Sequence, residues 1–138
     1  MSNPEQPAEP VGAGSVSKLD CIASVRGKGE ANVGLFRHLA PMTVNAITRE
    51  LPMYGRANSQ PGMVSMLTTI RIGVEKARIT FEPGDVAFLP SGSLLCFFLE
   101  PAKSERPLNP LGKVESGLEV LAGVGPGDVI SLAKRQSA

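Results

Sequence analysis

At 138 residues the chain has the length of one domain, and its 42% hydrophobic and 20% charged residues fall in the ordinary globular range. A formal net charge of +1, with no basic run, argues against a dedicated nucleic-acid binder. Few aromatics (4%, no Trp) with 15 Gly and 12 Pro favour many short elements and turns, and hence a mainly β fold.

Residues 1–18 lack an apolar core and a positive leader, and their Pro, Glu, Ser and Gly content reads as a flexible N-terminal tail. The domain is then expected over residues 19–138. Its longest apolar run, Ser93–Leu99, falls far short of the ~20 residues a spanning helix needs, so a cytoplasmic protein without a membrane partner is expected. Leu19–Val25 reads as a strand rich in branched and apolar residues, Arg26–Glu30 as a glycine turn, and Ala31–Phe36 as the returning strand of a hairpin. In Pro41–Glu50 the apolar residues recur near helical spacing, and Pro41 suits a first turn, where its missing N–H costs nothing. A short amphipathic helix is predicted there, ended by the turn before Pro52.

Leu51–Gly62 reads as a loop rich in Gly, Pro, Asn and Ser, Met63–Ile70 as a strand, and Arg71–Phe81 as a further short strand or bulged pair. Glu82–Asp85 is a turn. The apolar stretch Gly84–Leu99 is broken by Pro90 and Gly92, which a helix would not carry. It divides into two strands, Val86–Leu89 and Leu94–Leu99, joined at Pro90–Ser93. Glu100–Pro110, polar and Pro-rich, reads as a surface loop. Leu111–Val124 holds a strand-like entry and one helical turn near Gly117–Leu121, Gly125–Asp128 is a turn, and Val129–Lys134 is a closing strand. Strands at both ends of the domain are placed to pair and close a barrel.

Cys21 and Cys96 both lie in apolar strand-like runs and read as reduced core residues rather than a disulfide. No Cys, His, Asp or Glu cluster has metal spacing, so neither a metal nor a cofactor is expected. The single histidine, His38, reads as a helix-entry residue, and Asp85 and Asp128, in two similar "PGDV" sequences, as turn residues that start strands.

The order of elements and three local sequences resemble the cyclophilin-like barrels, and more closely the small uncharacterised prokaryotic group with that fold. The sequences are "LFRHLAPMTVNAI" (Leu35–Ile47), "LGKVESGLEVL" (Leu111–Leu121) and "GDVAFLPSGSLLCFFL" (Gly84–Leu99). The resemblance covers roughly residues 19–135 and implies a mainly β, closed cyclophilin-like barrel capped by one or two short helices. True cyclophilins isomerise prolyl bonds with an Arg from a Phe-His-Arg strand, a Gln from Gln-Gly-Gly, a Trp and a His. Neither tripeptide occurs here, the chain has no Trp, and the site His falls on Leu108. The expectation is a barrel without isomerase activity that binds a small molecule or short peptide in the cyclophilin-type groove. A divergent prolyl isomerase and an accessory subunit of an amide-hydrolysing enzyme are the alternatives.

By resemblance, Arg56 and Asn58 fall in the loop of the family's site arginine, where a guanidinium holds a carbonyl or carboxylate. Their plainer reading is a solvated arginine and a turn asparagine. Met63, Met66, Phe88 and Phe98 are candidates for an apolar groove wall, against the plain reading that they are core. Because strand residues alternate faces, Phe97 and Phe98 cannot both point into a barrel, and one must face outward.

Overall fold

The structure, a computed structural model, describes residues 17–135. Most of the tail predicted at residues 1–18, and the last three residues of the chain, lie outside the described residues; Lys18 already belongs to the first strand.

Strands β1 (Lys18–Val25) and β2 (Gly29–Phe36) form the expected hairpin, turning through Gly27 and Gly29, both at positive φ. Helix α1 (Pro41–Glu50) has Pro in its first turn and buries Thr43, Val44 and Ile47. Then come β3 (Met53–Gln60), β4 (Met63–Leu67), β5 (Arg78–Phe81), β6 (Asp85–Leu89), β7 (Leu94–Phe98) and β8 (Ala102–Ser116). A single-turn helix α2 (Leu118–Ala122) and β9 (Val129–Lys134) complete the chain. The two "PGDV" aspartates close turns as expected. Asp85 accepts from the Glu82 N–H and Asp128 from the Gly125 N–H, each at 2.8 Å.

Eight antiparallel strands close on themselves in the order β2-β1-β9-β3-β4-β7-β6-β8, with β8 returning to β2. First and last strands pair, Cys21 opposite Lys134 through Val25 opposite Ile130. Closure leaves no free edge in the ring. Among the described strands only β5 stands outside it, paired with the first half of β8.

The interior follows from period-two alternation. In β1, Leu19, Cys21, Ala23 and Val25 point in, while Asp20 is exposed. Val44 and Ile47 from α1, and Leu121 from α2, pack into the same core. Both cysteines are buried and unbridged.

Two segments differ from expectation. The predicted loop Leu51–Gly62 is mostly strand β3. Its inward residues are Met53, Gly55 and Ala57, two of them small, so the alternation has little hydrophobic contrast. Gly55 is needed small, since a Cβ there would overlap the Leu67 carbonyl oxygen. The predicted surface loop Glu100–Pro110 is instead the first half of β8. Its prolines are tolerated because pairing with β5 and β6 is irregular there, with register shifts opposite Arg78/Thr80 and Val86/Ala87. The expected strand Met63–Ile70 ends at Leu67, and of Arg71–Phe81 only β5 is strand.

Candidate functional site

Adjacent residues of β7 divide between two apolar regions. Phe97 points into the barrel core, whereas Phe98 points out and joins Phe81, Ala87, Cys96 and Leu108 in a second cluster on the barrel's outer face. Phe98 lies flat on Phe81, ring centroids 4.5 Å apart and planes within 6°. Phe81 comes from β5 and Leu108 from β8, so the outlying pair of strands folds over the outside of β6 and β7 and hides these side chains.

Where that cover ends, a cavity of about 430 Å³ opens. Its buried lining is apolar, with Cys96, Phe98 and Leu108, flanked by the half-buried Met63 and Leu94. Gln60, Glu100, Glu105 and Arg106 are exposed and form the rim. Met63 stands directly opposite Phe98 across the β4–β7 ladder. The backbone also shapes the mouth: Leu99 N–H donates to the Gly62 carbonyl at 2.8 Å, and the Glu100 carboxylate lies against Gly62. At the rim, Arg106 Nη1 donates to Ser91 Oγ at 3.2 Å. Burial pushes the Cys96 thiol up to about 12, so this wall residue is a neutral thiol and not a nucleophile.

Met63 and Phe98, of the residues singled out in the sequence, line this cavity together. Met66 and Phe88 do not: both are fully buried inside the barrel, where each stands opposite Leu95 on β7. They lie on the inward face of their strands, one residue out of phase with the groove. Arg56 and Asn58 point outward from β3, but Arg56 lines a separate hollow of about 350 Å³ with Tyr54, Leu67 and Thr68, and Asn58 lines neither. Leu94 and Cys96 were not singled out for the groove, although they share the outward phase of Phe98, which was the available signal. Leu108 was named as the position of a cyclophilin's site histidine, but its place in a proline-rich segment hid that it is a buried wall residue. Ser65, opposite Cys96 on β4, is fully buried, and its Oγ has no hydrogen-bond partner among the described residues.

The covering strands are held by a polar network. Residues 68–77 cross from β4 to β5, and Glu75 in this strap caps α1, accepting from the Met42 and Thr43 N–H groups and from Thr43 Oγ1 at 2.8–2.9 Å. Burial works against the Glu75 charge, but these bonds and nearby Lys76 outweigh it and hold its carboxyl below the usual carboxylate range. Asn109, fully buried on β8, accepts from the Glu75 N–H at 2.6 Å and donates to Thr43 Oγ1 and the Gly73 carbonyl. Helix, strap and β8 therefore meet at one buried amide. Among the described residues no group of three His, Cys, Asp or Glu side chains is placed to hold a metal ion, and no helix is long and apolar enough to cross a membrane.

A family model described as Cyclophilin-like matches residues 21–133. In three dimensions the chain is similar to the hypothetical protein AF2241 from Archaeoglobus fulgidus, with a TM-score of 0.75 and 24% identity over 86% of this chain and 96% of that one. It is also similar to McbB, solved in complex with tryptophan, with a TM-score of 0.71 and 14% identity over 86% of this chain. Only 45% of McbB is covered, so this chain spans under half of that protein. At such identities these likenesses concern the fold. No curated protein matches the sequence.

Proposed function

This chain belongs to the cyclophilin-like family, and we propose that it binds a small molecule or short peptide in the outer groove beside Phe98, without prolyl isomerase activity. The observation that carries the reading is the cavity of about 430 Å³, within the size range of small-ligand sites, with a buried apolar floor and a few polar rim groups. Against isomerisation stand two features. Leu108 puts a buried leucine in the cavity wall at the position where the resemblance puts a cyclophilin's histidine, and Arg56 opens into a different hollow. No guanidinium from β3 reaches the Phe98 cavity to polarise a prolyl amide.

The test is an amide-resolved NMR titration of the full chain with a fragment set. The set includes tryptophan, chosen because McbB was solved with it, and N-acyl-Ala-Pro amide. Saturable shifts gathered at Gly62–Met63 and Phe98–Glu100 are expected for at least one member. A ligand held at 100 times its Kd should add about 2.7 kcal/mol of stability. Saturable shifts found only elsewhere, or none across the set, overturn the reading. In a coupled proline-peptide assay the chain is expected to leave the uncatalysed rate unchanged; acceleration that Arg56→Ala abolishes would favour the isomerase instead.

A further inference from the structure

A third hollow, of about 310 Å³, shares no lining residue with the Phe98 groove. It lies where the end of β2, the turn into α1, β5, β6 and β8 come together, and its lining is Phe36, His38, Leu39, Arg78, Asp85, Gly112 and Lys113. Its charges are not equivalent. Asp85 is satisfied twice, by Lys113 Nζ at 3.1 Å and by the Glu82 N–H at 2.8 Å, so the Asp85–Lys113 pair carries no net charge into the hollow.

Arg78 has no carboxylate partner among the described residues. Its guanidinium lies 5.7 Å from the Phe81 ring centroid, a contact that orients the group without neutralising it. A second cation stands close by, since Lys76 Nζ donates to the His38 carbonyl at 3.0 Å. The strap's one carboxylate, Glu75, is engaged at the start of α1 and lies beside Lys76, so it does not reach Arg78 as a partner. Positive charge is therefore left over at this hollow, beside an apolar wall of Phe36 and Leu39. The His38 ring packs against Phe36, centroids 5.8 Å apart, and lines the same hollow.

We propose that this hollow is a second binding site, independent of the groove, for a small organic anion: a carboxylate carried on an aryl or alkyl body. The planar Arg78 fork takes both carboxylate oxygens, as guanidinium geometry favours. The His38 ring offers one further hydrogen bond, and the body lies against Phe36 and Leu39. The Asp85–Lys113 pair, already closed on itself, does not compete for the ligand.

The test titrates the labelled full chain with sodium phenylacetate, with its neutral isostere phenylacetamide, and with inorganic phosphate. Phenylacetate should give saturable shifts at His38, Leu39 and Gly112–Lys113, and bind at least about tenfold tighter than either comparison probe. Arg78→Gln should remove that tenfold preference and leave the weak binding of phenylacetamide unchanged, with Arg78→Lys intermediate. Equal affinity for phenylacetate and phenylacetamide overturns the anion part, and equal affinity for phosphate overturns the apolar part. An unchanged preference in Arg78→Gln, shifts confined to the Phe98 groove, or no saturable shift overturns the site itself.

Discussion

The barrel interior and the outer Phe81–Phe98 layer are both apolar and both hidden from water, yet they are built by different means. Twenty-four buried residues among those described share the interior, inside a ring whose strands are paired on both sides. Five buried residues form the outer layer, and its cover is a four-residue strand on an irregularly paired half of β8. The interior is enclosed by topology, so its packing is continuous. The outer layer is enclosed only as far as β5 and the strap reach, and the cavity lies where they stop. The continuous packing is concentrated in the first region and the open cavity in the second.

The largest effect should come from breaking the closure itself. A Cβ on Gly112 would overlap the Gly34 carbonyl oxygen across the β2–β8 pairing, and a backbone contact of that kind cannot be relieved by a rotamer change. Gly112→Ala should therefore cost more than about 4 kcal/mol, read as a lowered urea midpoint or failure to fold. A near-normal midpoint would mean that the ring tolerates opening at this seam. Next in size is the neighbouring phenylalanine pair. Phe97→Ala should cost about 3–5 kcal/mol, because it empties the enclosed core. Phe98→Ala should fall at or below the lower end of that range, because Phe98 already adjoins a cavity. Equal losses in parallel urea titrations would erase the distinction between the regions.

The same division explains what the sequence made legible. Helix α1 was readable to its limits because its apolar spacing and Pro41 agree. The placement of one of Phe97 and Phe98 outside followed from alternation alone. Period two fixes which residues share a face, but not which face is the interior, and so Met66 and Phe88 were grouped with a groove they turn away from. Strand β3 was obscured because its inward face carries Gly55, held small by the Leu67 carbonyl, and Ala57, which removes the hydrophobic contrast that marks a strand. The first half of β8 was obscured by prolines that only its broken pairing admits. Both missed segments help to form the groove's surroundings, so the site was less readable than the barrel.

Smaller effects should separate the cover from the ring. Asn109→Ala leaves the Glu75 N–H, Thr43 Oγ1 and the Gly73 carbonyl without their buried partner, and should cost about 1–3 kcal/mol. Its hydrogen-exchange signature should be faster opening of residues 68–81, with β1 and β9 unchanged; uniform acceleration would show that strap and ring unfold as one. The Glu75 cap should add an acid-side pH dependence. Because its folded carboxyl is held below the ordinary range, its contribution is complete at neutral pH and is lost as pH falls through the usual carboxylate value of about 4.3 and then the folded one. The stability difference between the native chain and Glu75→Gln should therefore be constant above about pH 6 and shrink below about pH 4. A constant difference down to pH 3 would remove the cap from the account.

The smallest expected change is at Ser65, and it has the opposite sign. Its hydroxyl is buried beside the Cys96 wall with no partner among the described residues, so folding strips it of water without compensation. Ser65→Ala removes that cost together with one atom of packing, and should leave stability unchanged or raise it by up to about 1 kcal/mol. An interior hydroxyl with no further role would show that effect and nothing else. A hydroxyl that a groove ligand engages would show a second one, weaker binding of whichever fragment gives saturable shifts at Phe98, by about fivefold or more. Urea midpoints and NMR titrations of the same variant therefore measure the two regions separately. A variant that loses stability, with affinity untouched, would place Ser65 with the enclosed core and not with the groove.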